Sequence, residues 1–222
     1  KTYHITLLTI GESGDETFGG TADAYLEVKY GSGRIYLDSF PLTKLDTQIS
    51  TRYANEIACD FLNIDCSHYD FFYTIRADSS IVGGPSASAP LTVLTIAALK
   101  KLDLKNDTVM TGTINSGGSI GPVGGTVKKA MAAQQKGFSR VLIPAFSLDI
   151  GELINETNKT MNETNGTDSQ DKEVNITIDE NPLDKIITIG IINITDIISI
   201  NNTTENKTRK KEPTFGEANL TI

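Results

Sequence analysis

Residues 81–104 read IVGGPSASAPLTVLTIAALKKLDL, and this stretch decides the fold. A Gly83-Gly84-Pro85 turn opens into an apolar run from about Ser86 to Lys101, long enough for a buried helix. Pro90 falls near the first turn, where a missing N–H costs little. Ser86 stands at the strand-turn-helix junction. Free backbone N–H groups and the positive end of the helix dipole meet there. They suit the oxyanion of a tetrahedral intermediate. The same position also suits an ordinary N-cap serine.

Working outward, residues 108–114 (TVMTGTI) read as a buried strand and 115–125 (NSGGSIGPVGG) as a Gly-rich turn. A helix follows over 125–136 and stops at Gly137, and RVLIP at 140–144 is a short strand. Upstream, YHITLLTI (3–10) is a strand and GESGDETFGG (11–20) a polar turn. DAYLEVKY (23–30), GSG and RIYLD (34–38) have the pattern of a β-hairpin. Residues 46–63 have helical spacing, with Ile49, Tyr53, Ile57 and Phe61 on one face and Asp46 or Thr47 as N-cap. YDFFYTIR (69–76) is another strand.

Histidine is scarce. His4 lies in a strand and His68 in a loop, and neither sits in a catalytic motif. A Cys66/His68 metal pair lacks further ligands at suitable spacing, so no metal and no cofactor are expected. A nucleophilic serine without histidine needs another base. A lysine serves when burial disfavours its charged form, and Ser-Lys pairs are a variant of the triad.

The segment MTGTINSGGSIGPVGGTVKK (110–129), taken with GGPSAS (83–88), resembles the proteolytic domain of Lon proteases. Ser86 matches the family nucleophile, Met110-Thr111-Gly112 the following strand, and Gly124-Gly125-Thr126-Val127-Lys128-Lys129 the helix start that carries the catalytic lysine. Leu142-Ile143-Pro144 matches the closing strand end. The family spacing selects Lys129 as the dyad lysine and leaves Lys128 as its solvated neighbour. Thr111 matches a threonine that holds the lysine. The serine motif alone is weak, but four motifs in order with matching spacings are specific.

The resemblance implies an α/β (α+β) fold of mixed sheets packed with helices. It covers residues 1–200, with a polar insertion at about 152–182, a closing strand and then short helix over 185–200, and a polar tail at 201–222. It also implies acyl transfer. Neutral Lys129 takes the Ser86 proton, and backbone N–H groups around Pro85–Ala87 hold the oxyanion (Pro85 itself has none). Val127, Ala130, Met131 and the 91–99 helix would shield Lys129. Protein or peptide substrates and ring-like homo-oligomers follow from the same likeness.

There are departures from the family pattern. Gly83 stands where many members carry Asp, and Ser86-Ala87-Ser88 is closer to the archaeal form than to bacterial Ser-Ala-Gly. No Walker A sequence occurs in residues 1–222, so these residues are expected to act without ATP. Two rivals stand beside the peptidase: a catalytically quiet Lon-like surface or interaction domain, and phosphate binding at the Gly-rich turn. The second lacks a lysine within GGPSAS and a nearby acidic metal ligand.

The 222 residues carry a net charge of −8 and no basic stripe, which argues against nucleic acid. Residues 151–222 hold seven Lys+Arg and thirteen Asp+Glu, and 11 of the 15 Asn. Ten of those 11 Asn begin an N-x-[ST] sequon, as does Asn106. This excess favours N-glycosylation and an extracytoplasmic or membrane-associated location, with cytoplasm as the alternative. No apolar run reaches transmembrane length. The chain starts at Lys1 without a signal peptide, which reads as a trimmed or processed product with any targeting or anchor segment lying outside it. Cys59 and Cys66 read as two small buried apolar residues, or as a single bridge in an oxidising compartment.

Overall fold

The computed structural model describes residues 1–14, 16–77, 83–144, 147 and the short strand 198–199. Strand β1 (Thr2–Ser13) runs antiparallel to β2 (Glu16–Tyr30), in register from Thr2 opposite Glu27 to Ser13 opposite Glu16. The 11–20 stretch, expected as a turn, is mostly ladder, with pairing that runs on to Ser13 opposite Glu16. Backbone pairing continues through its small and polar residues because the ladder needs N–H and C=O groups rather than particular side chains.

The hairpin expected over 23–38 is not formed. Strand β4 (Tyr69–Ala77) pairs antiparallel with β2, and β3 (Ile35–Phe40) lies parallel to β4 on its far side. The cause is the loop between β2 and β3. Gly31 N–H donates to the His68 carbonyl at 2.9 Å, and the Asp70 carboxylate accepts Ser32 N–H at 2.8 Å and Arg34 N–H at 2.9 Å. These bonds pin the loop over the start of β4, so the chain leaves beyond that strand.

The sheet is completed by β6 and β9. Strand β5 (Asp103–Leu104) precedes β6 (Thr108–Met110), which lies parallel to β1. After β6, β7 (Thr113–Ile114) and β8 (Ile120–Gly121) pair with each other as a separate ribbon. Strand β9 (Arg140–Leu142) is parallel to β6, giving the order β3-β4-β2-β1-β6-β9. The 108–114 segment is thus two strands, broken at Thr111-Gly112.

Helices α1 (Leu45–Leu62) and α2 (Ser88–Lys100) pack with Tyr3, Ile5, Leu7, Leu26, Phe71, Tyr73 and Ile75 of the sheet in the main core. Leu8 points the other way, as strand alternation requires. It meets Val109 and Ala133 of α3 (Thr126–Gln135) on the opposite face. The architecture is a mixed sheet with helices on both faces, the α/β class the sequence implies. Every α2 residue from Ser88 to Ala98 is buried; most are apolar, and Thr92 and Thr95 donate their hydroxyls to the Ser88 and Leu91 carbonyls. A 3-10 turn, Pro85–Ala87, precedes it.

Helix α1 departs from expectation. Ile57 is buried at 8% exposure, but Ile49, Tyr53 and Phe61 are 44%, 42% and 42% exposed. The buried face carries Thr47, Ser50, Thr51, Ala54 and Ala58. Small side chains let α1 approach α2 closely, and Thr51 hides its hydroxyl by donating to the Thr47 carbonyl at 2.9 Å. The N-cap is Lys44, with no side-chain cap bond, rather than Asp46 or Thr47.

At the other end Asn63 takes a left-handed conformation and closes α1, with Asn63 N–H on Asp60 O and Ile64 N–H on Cys59 O. That reversal brings Cys66 back to Cys59, seven residues away, and the two form a disulfide. Of the closing 185–200 segment, expected as strand then helix, the described part is Ile198–Ser199, a strand (β10) antiparallel to β5. The rest of that segment, the 152–182 insertion and the 201–222 tail lie outside the described residues. Among the described residues no helix is long and apolar enough to cross a membrane.

Candidate active site

Thr111 and Gly112 follow the carboxyl end of β6, and through them the Ser86 turn and Lys129 are linked. Ser86 is the middle residue of the 3-10 turn and is partly exposed. Pro85 is exposed and Ala87 buried. Gly84 before them sits at φ 113°, ψ 143°, a conformation L side chains rarely adopt. Residues 111–112 carry the turn on one side: Gly112 N–H donates to Ser86 O, and Ala89 N–H donates to Gly112 O, both at 3.1 Å.

Thr111, fully buried, links to the lysine. Its N–H donates to Leu142 O of β9 at 3.1 Å, and its Oγ1 accepts from Lys129 Nζ at 3.2 Å. Lys129 is 3% exposed. Gly125 at φ 65° starts α3 in a left-handed conformation, where a Cβ would lie 2.6 Å from Ile10 Cδ1. Lys129 N–H donates to Gly125 O at 3.0 Å, closing the first helical turn. One turn before Lys129 stands Thr126 and one turn after it Ala133, and both are buried. Helical spacing puts the three on one face, which turns Lys129 inward.

Burial pushes the pKa of the Lys129 ammonium down to about 8, because desolvation penalises its charged form. Val127 is buried beside it on α3, while Ala130 and Met131 are half-buried. Lys128, one residue earlier, is half-exposed and donates to Thr17 Oγ1. Among the described residues the hydrogen bond that Lys129 Nζ makes goes to Thr111 rather than to Ser86. His4 pairs with Asp23 at 2.8 Å and His68 with Asp65 at 3.6 Å.

Three residues around the site carry roles the sequence reading did not assign. Asp46, read as an N-cap, accepts Gly84 N–H on Oδ2 at 2.9 Å and Thr47 N–H on Oδ1 at 2.7 Å. Ser88, read only as part of the serine motif, is buried between Pro85 and Ile114. Ser147 accepts Val123 N–H on Oγ at 2.8 Å and Thr126 Oγ1 on its carbonyl at 3.0 Å, bracing the start of α3. No local pattern signals the bonds of Asp46 to Gly84, Ser88 to Ile114 and Ser147 to Val123 and Thr126, because they join segments 21 to 38 residues apart.

Residues 69–173 match the model of the Lon protease (S16) C-terminal proteolytic domain. The chain is 36% identical over 93 residues to Lon protease of Phenylobacterium zucineum, covering 41% of this chain and 12% of that protein. It is 41% identical over 61 residues to Lon protease of Fervidobacterium nodosum, covering 28% and 8%. Against the archaeal Lon protease of Methanocaldococcus jannaschii it is 33% identical over 82 residues, covering 37% and 13%. The matched part is thus a small fraction of these relatives' own length. The matched range contains Ser86, Thr111 and Lys129, and over that range this chain is similar to the Lon proteolytic domain.

Proposed function

We propose that this chain is a serine peptidase that cleaves protein or peptide substrates with a Ser86–Lys129 dyad. The observation that carries this reading is the burial of Lys129 against Thr111, one residue before the Gly112 that binds the Ser86 turn. With a pKa of about 8, about a tenth of Lys129 is neutral at pH 7 and most is neutral at pH 9. The neutral amine takes the Ser86 proton as Oγ attacks the peptide carbonyl. Ser86 and Ala87 N–H hold the oxyanion. Lys129 then protonates the leaving amine, and water releases the acyl group.

The test is hydrolysis of casein or a fluorogenic peptide, without ATP, by wild type, Ser86→Ala and Lys129→Ala. Loss in both variants supports the dyad. Unchanged activity in either overturns it. Activity that appears only with ATP overturns ATP independence. The second reading, a catalytically quiet Lon-like interaction domain, is favoured by one observation: Lys129 bonds Thr111 rather than Ser86. A wild-type protein without hydrolysis, and without labelling by a serine-reactive fluorophosphonate, establishes that reading instead.

The proposed setting is extracytoplasmic, with membrane attachment supplied by sequence outside residues 1–222 and assembly into homo-oligomers. The Cys59–Cys66 disulfide and the sequons, including exposed Asn106, support an oxidising, glycosylating compartment. Intact mass of natively sourced protein tests it, and a mass equal to the bare polypeptide removes the glycosylation argument.

A further inference from the structure

We propose that Ser88 is a positioning residue that aims the Ser86 N–H at the oxyanion. This rests on the dyad reading above and adds a residue to it. The Pro85 carbonyl and the Ser86 N–H are the two ends of one planar trans peptide, so fixing the first fixes the direction of the second. Ser88 Oγ, in a residue 3% exposed, donates to Pro85 O at 2.6 Å. The same oxygen accepts Ile114 N–H at 2.8 Å. A hydroxyl has one hydrogen. With Ile114 occupying its acceptor side, that hydrogen is committed to Pro85.

The next peptide is held by the same logic. Gly112 N–H donates to Ser86 O, which orients the Ala87 N–H on the opposite end of that unit. Both oxyanion donors therefore lie on peptide planes whose carbonyls are tied to the segment 112–114. One tie is backbone and cannot be removed by substitution. The Pro85 carbonyl also accepts the Ser88 backbone N–H that closes the 3-10 turn, but its tie to Ile114 runs through the Ser88 side chain, and that tie substitution removes. A hydrogen bond on the carbonyl also polarises the amide and strengthens its N–H as a donor. A first-turn serine that merely satisfied helix N–H groups would accept from its own helix. Ser88 instead bridges β7 to the turn before it.

The experiment compares wild type with Ser88→Ala and Ser88→Thr. It measures kcat and KM on a fluorogenic peptide, inhibition by a peptide boronate that forms a tetrahedral adduct on Ser86, binding of the cleaved product peptide, and Tm. In Ser88→Ala, kcat is expected to fall about tenfold or more with KM within about twofold. The boronate weakens by the same factor, product binding stays unchanged, and Ser88→Thr recovers most of the loss. Ser88→Cys, nearly the same size with a weak donor, takes the place of Ser88→Ala if that variant does not fold. A folded variant with kcat within about twofold of wild type overturns the proposal. So does a loss of kcat that leaves the boronate unaffected, or that is matched by loss of product binding. Full activity in Ser86→Ala overturns the dyad and this role together, whereas a Ser86-dependent enzyme indifferent to Ser88→Ala overturns this role alone.

Discussion

Lys129 Nζ donates to Thr111 Oγ1 at 3.2 Å, joining α3 on one face of the sheet to the residue that follows β6. Through Gly112 the same two-residue link holds the Ser86 turn, which leads into α2 on the other face. The proposed base and nucleophile thus approach the end of β6 from opposite layers.

A buried lysine costs stability while it is charged. Its folded pKa of about 8 lies below the ordinary 10.5, so between those values the unfolded chain binds more protons and stability rises with pH. Below about 8 the penalty is fully present, on the order of 3 kcal/mol. Lys129→Met is therefore expected to abolish hydrolysis and raise Tm at pH 7, with the gain shrinking as pH climbs toward 10.5. Thermal melts of both proteins across pH 6–10.5 check it.

The peptidase should gain activity with pH along an acid limb centred on about 8, the Lys129 titration. Thr111 Oγ1 accepts a bond from the ammonium, and a bond to the charged form favours it. Thr111→Val should therefore move that limb to lower pH and reduce the plateau, because Nζ loses its anchor. The pH profile of kcat for the two proteins is the measurement, and a limb shifted upward in Thr111→Val contradicts the assignment.

Asp46 braces the turn from the α1 side. Asp46→Ala removes the acceptor of Gly84 N–H and a first-turn carboxylate, at an expected cost of about 1–2 kcal/mol and a drop in kcat. Asp46→Asn should restore part of both. At Gly84 a Cβ meets Ser86 Oγ at an unstrained 3.8 Å, so Gly84→Ala is penalised by its φ of 113° alone, about 1–3 kcal/mol. Denaturant melts alongside kinetics separate the two costs.

The disulfide closes a short loop at the end of α1. Replacing Cys59 and Cys66 with serine, or adding reductant, should destabilise the fold by roughly 2–3 kcal/mol on loop-closure grounds. The proposed dyad lies on other elements, so kcat at low temperature should hold in the double variant. Paired melts with and without reductant, followed by peptide assays, test both halves.

Local chemistry was legible without coordinates. The Gly-Gly-Pro-Ser turn, the apolar run of α2 and the Gly-Gly start of α3 are patterns of near neighbours. Their order and spacing, set against the Lon proteolytic domain they resemble, singled out Ser86, Thr111 and Lys129. Tertiary contacts decided the rest. The position of β3 depends on Asp70 capturing a loop 36 to 38 residues earlier. The inward face of α1 follows from how closely α2 approaches, so Thr47, Thr51 and Ala54 win over Ile49 and Tyr53. The bridge from Cys59 to Cys66 depends on the chain reversing at Asn63, and Asp46 and Ser88 act across 38 and 26 residues. Periodicity and turn chemistry reside in adjacent residues, whereas sheet order, helix facing and the bracing of a nucleophile depend on which distant groups fill one another's hydrogen bonds and space.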